Sequence, residues 1–117
     1  MTIKKKRKSS TKSKNKVIKK PKTAKPESYF ILVNGVPLKN LKELAGACET
    51  MNDWVFNHHV NESRNDFANW VEHVLKEEEL SSEIVVARNP GHLEVIILRY
   101  LVNKYLWGVK KWDILIM

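Results

Sequence analysis

The sequence predicts a mainly α domain of the small α+β type, in which an N-terminal β-hairpin is followed by four to five helices and preceded by a disordered basic arm. Three observations predict it. Residues 1–27 are strongly basic and almost free of large apolar side chains, an Asn-Gly pair follows between two β-prone runs, and apolar residues then recur at helical spacing. A chain of 117 residues suffices for one domain, so we assign residues 1–27 to the arm and residues 28–117 to a single domain.

The arm carries the whole positive charge of the chain. It has one acid, Glu27, and a net charge of +11, whereas residues 28–117 hold nine basic and twelve acidic residues and sum to −3. Ordering a backbone costs about 1–2 kcal/mol per residue, and so few apolar side chains cannot offset that cost. We therefore expect a solvated, disordered chain here. Its twelve basic residues are Lys4, Lys5, Lys6, Arg7, Lys8, Lys12, Lys14, Lys16, Lys19, Lys20, Lys22 and Lys25.

The domain is predicted to begin with a hairpin. Residues 29–33 and 36–38 are β-prone and flank Asn34-Gly35, and both of these residues tolerate the positive φ of a type I′ turn. Pro37 has no N–H to donate, so the second strand should be short and at an edge.

Two helices are predicted next. Asn40 is suited to cap the first, with Glu43 three residues later, and its apolar face should contain Leu41, Leu44, Ala45 and Cys48. Gly46 weakens a helix, so we expect a close packing contact there. A break near Asn52-Asp53 then leads to a short helix over residues 54–60.

A strongly amphipathic helix follows the loop of residues 61–65. Asp66 is its predicted cap, and its apolar face comprises Phe67, Trp70, Val71, Val74 and Leu75. Residues 77–86 are typical of a further short helix, with Leu80 and Ile84 inward and Val85 a third candidate. Its leading glutamates suit the positive end of a helix dipole.

The last helix is apolar on nearly every side. Asn89-Pro90-Gly91 is a helix start signal, and the helix of residues 92–106 shows only a narrow polar stripe. Such a helix is either central in the domain or the interface of a homodimer. Trp107-Gly108 should end it, and Trp112–Met117 is either an added strand or an exposed apolar end.

Several classes of protein and site are disfavoured. Cys48 is alone, no apolar run approaches the ~20 residues that span a bilayer, and no apolar stretch follows the basic N-terminus as in a secretory signal. Cys48, His58, His59 and His73 lack the tight ligand pairs of a zinc site, and no phosphate-binding glycine loop is present. We expect no metal, no cofactor, no membrane association and a cytoplasmic location.

One stretch resembles a known family. His59-Val60-Asn61-Glu62 and the run Asn65-Asp66-Phe67-Ala68-Asn69-Trp70-Val71, with Val74-Leu75 and Glu79-Leu80 after it, resemble a family of domains of unknown function, number 5752, found in archaea and bacteria. The resemblance covers about residues 30–106 and implies a small helical fold of archaeal type. It implies no activity. Bacterial relatives that lie beside or within sugar-transferase proteins imply an accessory module, and the basic arm departs from the family pattern.

The polar residues of this motif form the candidate functional cluster: His59, Asn65, Asp66 and Trp70. An Asp near a His could orient it for proton transfer. The alternative is structural, with Asp66 as a helix cap, His59 and Asn65 holding the loop, and Trp70 in the core. We favour the structural role and expect no enzyme activity.

The arm suggests the function. Dispersed lysines neutralise phosphates without reading sequence, so we expect a non-enzymatic accessory protein tethered to nucleic acid, DNA or RNA, and associated with the nucleoid or the ribosome. The alternative is a protein-interaction or oligomerisation module, with a homodimer through the 92–106 helix and an arm that is only a solubility or targeting tail. An acidic membrane surface is a weaker candidate, because no apolar anchor accompanies the charge.

Overall fold

Five α-helices and two short strand pairs make up the chain in the computed structural model, which describes residues 20–106. The helices are α1 (Leu41–Cys48), α2 (Asp53–His59), α3 (Asp66–His73), α4 (Glu78–Ile84) and α5 (Pro90–Leu101). Strand β1 (Phe30–Ile31) pairs with β2 (Pro37–Leu38), and β3 (Val60–Asn61) pairs with β4 (Arg64–Asn65), both antiparallel. A 3₁₀ turn (Pro26–Ser28) precedes β1, and a π-helical turn (Val102–Leu106) continues α5. The predicted small, mainly helical α+β fold is confirmed.

The predicted N-terminal hairpin is present, but its turn is of a different kind. Leu32 N–H donates to Val36 O at 2.9 Å, and Gly35 N–H donates to Leu32 O at 2.7 Å. A type I′ turn needs positive φ at both Asn34 and Gly35, yet Gly35 has φ +95° and Asn34 does not have a positive φ. Asn34 instead uses its side-chain oxygen to accept the Val36 N–H at 3.2 Å.

The ordered fold includes residues that we assigned to the arm. Thr23 bridges to Asn40, and Ala24 N–H donates to Lys39 O at 2.8 Å. Ala24 is only 7% exposed and belongs to the hydrophobic core. The chain is therefore fastened to the hairpin several residues before Ser28, where the sequence placed the boundary.

Helix α1 has the cap and the buried face that the sequence predicted. Asn40 Oδ1 accepts the Glu43 N–H at 3.0 Å, and Glu43 Oε1 accepts the Lys39 N–H at 2.9 Å, so two backbone donors are satisfied reciprocally. Leu41, Leu44, Ala45 and Cys48 are all buried. The expected close contact at Gly46 is wrong, because no atom lies within 4 Å of where its Cβ would be.

The segment between α2 and α3 is a second small hairpin, β3–β4, where the sequence predicted only a loop. The residue that caps α3 is Asn65, whose Oδ1 accepts the Ala68 N–H at 3.0 Å, and not Asp66. Asp66 is the first residue of the helix, and its carboxylate is free to contact other side chains. Phe67 and Val71 on the buried face of α3 are completely enclosed.

The connection from α3 to α4 turns through Lys76, which has φ +61°. Glu77 N–H donates to Val71 O at 3.0 Å, a bond that satisfies one of the last carbonyls of α3. This turn places Glu77 against the end of α5, where it is buried. Leu80 and Ile84 point inward as predicted, but Val85 is exposed.

Helix α5 begins at the predicted signal, with Asn89 Oδ1 accepting the His92 N–H at 2.8 Å and Pro90 in the first turn. It packs against α1 and α4, so one side is central in the domain. The other side leaves Val95 and Leu98 exposed by 46% and 44%. The predicted helix end at Trp107-Gly108 and the Trp112–Met117 segment lie outside the described residues.

Candidate functional site

The structure describes three of the twelve basic residues of the arm. Lys20, Lys22 and Lys25 are exposed, and they flank the point where Thr23 and Ala24 are fastened to the hairpin. The other nine lie outside the described residues: Lys4, Lys5, Lys6, Arg7, Lys8, Lys12, Lys14, Lys16 and Lys19. The structure therefore fixes the position where the arm meets the domain.

His59, the centre of the polar cluster that the sequence predicted, is enclosed at the end of α2. Val33 N–H donates to its Nε2 at 3.0 Å, and its Nδ1 lies 3.0 Å from Asp66 Oδ2. Because Nε2 is an acceptor, the ring proton sits on Nδ1 and is donated to Asp66. The ring also packs edge-on against Phe30, with centroids 4.9 Å apart. Both nitrogens are bonded to protein groups, so the ring has no free nitrogen to exchange a proton with a substrate.

The other three residues of the cluster have local partners as well. Asp66 also forms an ion pair with Arg64, whose Nε lies 3.3 Å from the carboxylate. Arg64 Nη2 in turn donates to His58 O at 2.5 Å. Asn65 caps α3. Trp70 is in the core and donates its Nε1–H to Ser28 O at 2.8 Å. The structure thus joins His59 to Asp66 as expected, and these contacts tie α2, α3 and the first hairpin together.

A second polar cluster, which the sequence did not reveal, surrounds Glu77. The Glu77 side chain is 3% exposed; its Oε1 accepts from Tyr100 Oη at 2.5 Å and from Lys104 Nζ at 2.7 Å, and its Oε2 accepts from Tyr105 Oη. Lys104 Nζ also donates to Tyr100 Oη at 3.1 Å. These contacts link the α3–α4 turn to side chains that lie between 23 and 28 positions later in the chain. No sequence pattern predicts a contact over that separation. The local hint is weak, because the hydrogen-bonding side chains at 100, 104 and 105 share this segment with other polar residues such as Arg99 and Asn103.

The Glu77 cluster has shifted pKa values. Burial raises the pKa of the Glu77 carboxyl, but hydrogen bonds from Lys104 and the two tyrosines outweigh it and leave the pKa below its usual range. The hydrogen bond to the same carboxylate raises the pKa of Lys104 above its usual range. Burial, together with the hydrogen bond to Glu77, raises the pKa of Tyr100 to about 12. At neutral pH the cluster is a closed ion pair with two neutral phenols.

An open cleft of about 560 Å³ adjoins this cluster, between α4 and the end of α5. Glu79 and Glu83 line one wall, and Arg99, Asn103 and Lys104 line the other. The walls carry opposite charges, and Lys104 is already engaged with Glu77. The cleft therefore presents no single sign of charge to a ligand.

The described part of the chain contains no metal-binding cluster, and its one thiol is unreactive. No group of three His, Cys, Asp or Glu side chains there could hold a metal ion. Cys48 is buried, and burial, with the nearby Glu94, raises the pKa of its thiol to about 12, so it stays protonated. None of the helices within residues 20–106 has the length and apolar character needed to cross a membrane.

Comparisons of the chain with protein-family models, with curated proteins and with solved structures give no match. Its function is therefore inferred from the charge distribution and the geometry of the chain itself.

Proposed function

We propose that this is a non-enzymatic accessory protein that its basic arm tethers to nucleic acid without reading sequence. The observation that carries the proposal is the separation of charge, +11 in residues 1–27 against −3 in the rest of the chain. Lysine contacts to phosphates release counterions, which gives affinity that falls steeply with salt. Such a protein would act in the cytoplasm, on the nucleoid or on the ribosome.

Two structural observations support this proposal. The arm is fastened to the hairpin at Ala24, so its basic segment extends from a fixed position on the domain. His59 and Asp66 are the pair that an enzyme hypothesis would use, and His59 instead bonds to Asp66 and to the backbone N–H of Val33. Membership of the family of domains of unknown function that the 59–70 motif resembles is part of the same proposal.

The test is binding of the full-length chain to duplex DNA and to structured RNA, measured by fluorescence anisotropy during a salt titration. With six or more phosphate contacts, affinity should fall on the order of 10³-fold between about 50 and 200 mM salt. A full-length variant with the nine basic residues of 1–19 changed to Gln should lose this binding. Substituting glutamines at 1–19 leaves Ala24 and its packing intact.

A matched pair of triple variants tests whether the arm lysines are interchangeable. Changing Lys4, Lys5 and Lys6 to Gln should lower the salt slope by about 0.9 for each phosphate that the arm no longer neutralises. The control changes three exposed cations of the domain, Lys42, Lys76 and Arg99, and should leave binding nearly unchanged. Equal loss of affinity in both triple variants would contradict tethering by the arm. Loss of all binding when one arm lysine is substituted would contradict the interchangeability of the lysines.

A second candidate function is protein association through α5, favoured by the exposed Val95 and Leu98 on its outer side. The simplest partner is a second copy of the chain. Sedimentation of the full-length protein should then show a dimer that Leu98→Asp converts to a monomer. If the wild-type protein sediments as a monomer over the accessible concentration range, the homodimer is refuted.

A further inference from the structure

Trp54 is the most exposed large apolar side chain among the described residues, at 65%. It is the second residue of α2, and the next two residues, Val55 and Phe56, are buried in the core. The helix therefore faces its largest aromatic ring outward while its neighbours pack inward. A tryptophan left in water forgoes the favourable burial of a large apolar side chain, and its exposed ring is accessible to a ligand.

The helix that carries Trp54 is held firmly. Asn52 Oδ1 caps it by accepting the Val55 N–H at 2.9 Å, and at its other end His59 bonds both Val33 and Asp66. An aromatic platform on a fixed helix loses little freedom when a flat ligand stacks on it.

The surroundings of Trp54 are polar. Asn57 and His58 follow it at i+3 and i+4, on the same face of α2, and both are exposed. Asn57 also lines a neighbouring groove of about 260 Å³, whose polar walls include Glu62 and Arg88 and which Trp54 does not line. Side-chain amides offer both donors and acceptors, the combination that the edge of a nucleobase requires.

We propose that this face of α2 binds an unpaired base of single-stranded nucleic acid, stacked on Trp54 with its edge toward Asn57. Base binding here rests on the proposed tether and deepens it by naming the form of nucleic acid. The arm contains no aromatic residue before Tyr29, so stacking has to come from the domain. Asp53 gives this face an acidic neighbour, so phosphate attraction has to come from the arm.

The polarity of the face favours a base over a protein partner. A protein-binding surface centred on tryptophan is expected to have further apolar side chains around it. Here the neighbours along the helix face are Asn57 and His58. The other exposed large apolar side chains of the described residues lie outside α2: Ile31, Val36, Val85, Val86, Val95 and Leu98. The arm can contact the same nucleic-acid strand, since the 22 residues before Thr23 could span up to roughly 75 Å if fully extended.

The experiment compares single-stranded RNA with duplex RNA of the same sequence, using the full-length chain and the variants Trp54→Ala and Trp54→Phe. Removing the stacking of one base should weaken single-strand binding about 5- to 150-fold in Trp54→Ala, with the salt slope and the duplex affinity unchanged. Trp54→Phe keeps an aromatic face and should retain most of the affinity. Ile31→Ala removes another exposed apolar side chain, on β1, and should have no effect.

The outcomes separate base stacking from the tether itself. If Trp54→Ala binds single strands as tightly as the wild type while neutralising the arm abolishes binding, the tether stands and the base site is refuted. Equal weakening on single-stranded and duplex RNA also refutes it. If Trp54→Ala alters sedimentation and leaves nucleic-acid affinity unchanged, the face is a protein surface. A wild-type chain that binds no nucleic acid overturns both proposals.

Discussion

Replacing Glu77 with Gln should destabilise the fold more than the same kind of exchange at any other acid within residues 20–106. The substitution keeps the shape of the side chain but exchanges one acceptor oxygen for an NH₂ group. Glu77 receives three donors, from Tyr100, Lys104 and Tyr105, so at least one of them loses its acceptor. Lys104 also loses its only ion-pair partner within the described residues.

The size of the effect follows from burial. A hydrogen bond to a charged group contributes about 1.5–3 kcal/mol, and removing one partner of a fully buried ion pair costs about 3–5 kcal/mol. Lys104 is 39% exposed, so water can solvate its ammonium group once the carboxylate is gone. We therefore expect a decrease of about 2–3 kcal/mol in the free energy of unfolding, a large fraction of the roughly 5–10 kcal/mol typical of a domain.

The effect should depend on pH in a defined direction. The pKa of Glu77 is lowered in the folded state from its ordinary value of 4.5. Its contribution is therefore fully present above the unfolded-state pKa and is lost as the pH falls through the folded-state pKa. The wild type should begin to lose its advantage over Glu77→Gln as the pH falls below about 4.5, and the loss should continue until the folded carboxylate gains its proton at a lower pH.

Urea unfolding followed by circular dichroism, at neutral pH and in steps to about pH 3, measures both quantities. Glu79→Gln is the control, because Glu79 is an exposed acid two residues later, in α4, and its substitution should cost less than about 0.5 kcal/mol. A difference below about 1 kcal/mol at neutral pH, or one that does not shrink in acid, would refute the account of a buried, ionised carboxylate.

Three further sets of variants test the backbone and the His59 contacts by the same unfolding assay. Gly46→Ala should stabilise the protein by about 0.5–1 kcal/mol, since the site is open and helical; a decrease in stability would mean that a contact exists there. Lys76→Gly should also stabilise the protein, by up to about 1 kcal/mol, because the φ of +61° at this position favours glycine over lysine. Gly35→Ala should destabilise it by a similar amount, because Gly35 also has a positive φ. Effects of the opposite sign would contradict these backbone conformations. His59→Ala should cost about 2–4 kcal/mol, because Val33 N–H loses its acceptor and the ring no longer packs on Phe30; a cost below about 1 kcal/mol would contradict its structural role.

The parts of the fold that depend on neighbouring residues were predictable. The caps at Asn40 and Asn89 and the buried faces of α1 and α3 follow from spacing alone. The cap of α3 was misplaced because Asn65 and Asp66 are adjacent and both suit the position. The β3–β4 pair escaped because two-residue strands have no periodicity to read.

The same distinction holds for the candidate sites: contacts between residues close in sequence were predictable, and contacts between distant residues were not. The sequence pointed to His59 and Asp66, which lie seven residues apart around a local hairpin, and they do meet. Glu77 was missed, since its partners come from the far end of α5 and the turn beyond it, and a run of glutamates is usually solvated. The outward direction of Trp54 depends on how α2 packs, which spacing within a seven-residue helix does not fix.

The attachment at Ala24 determines where the domain would feel a mechanical load. Any pull along residues 1–22 first reaches the packed structure at Thr23 and at the Ala24 hydrogen bond to Lys39, immediately before the cap of α1. After that bond and the buried Ala24 methyl group, the next attachment along the chain is the Trp70 Nε1–H bond to Ser28 O, just before the first hairpin. Force on the arm would therefore open the fold from its N-terminal edge, beginning at residues 23 and 24.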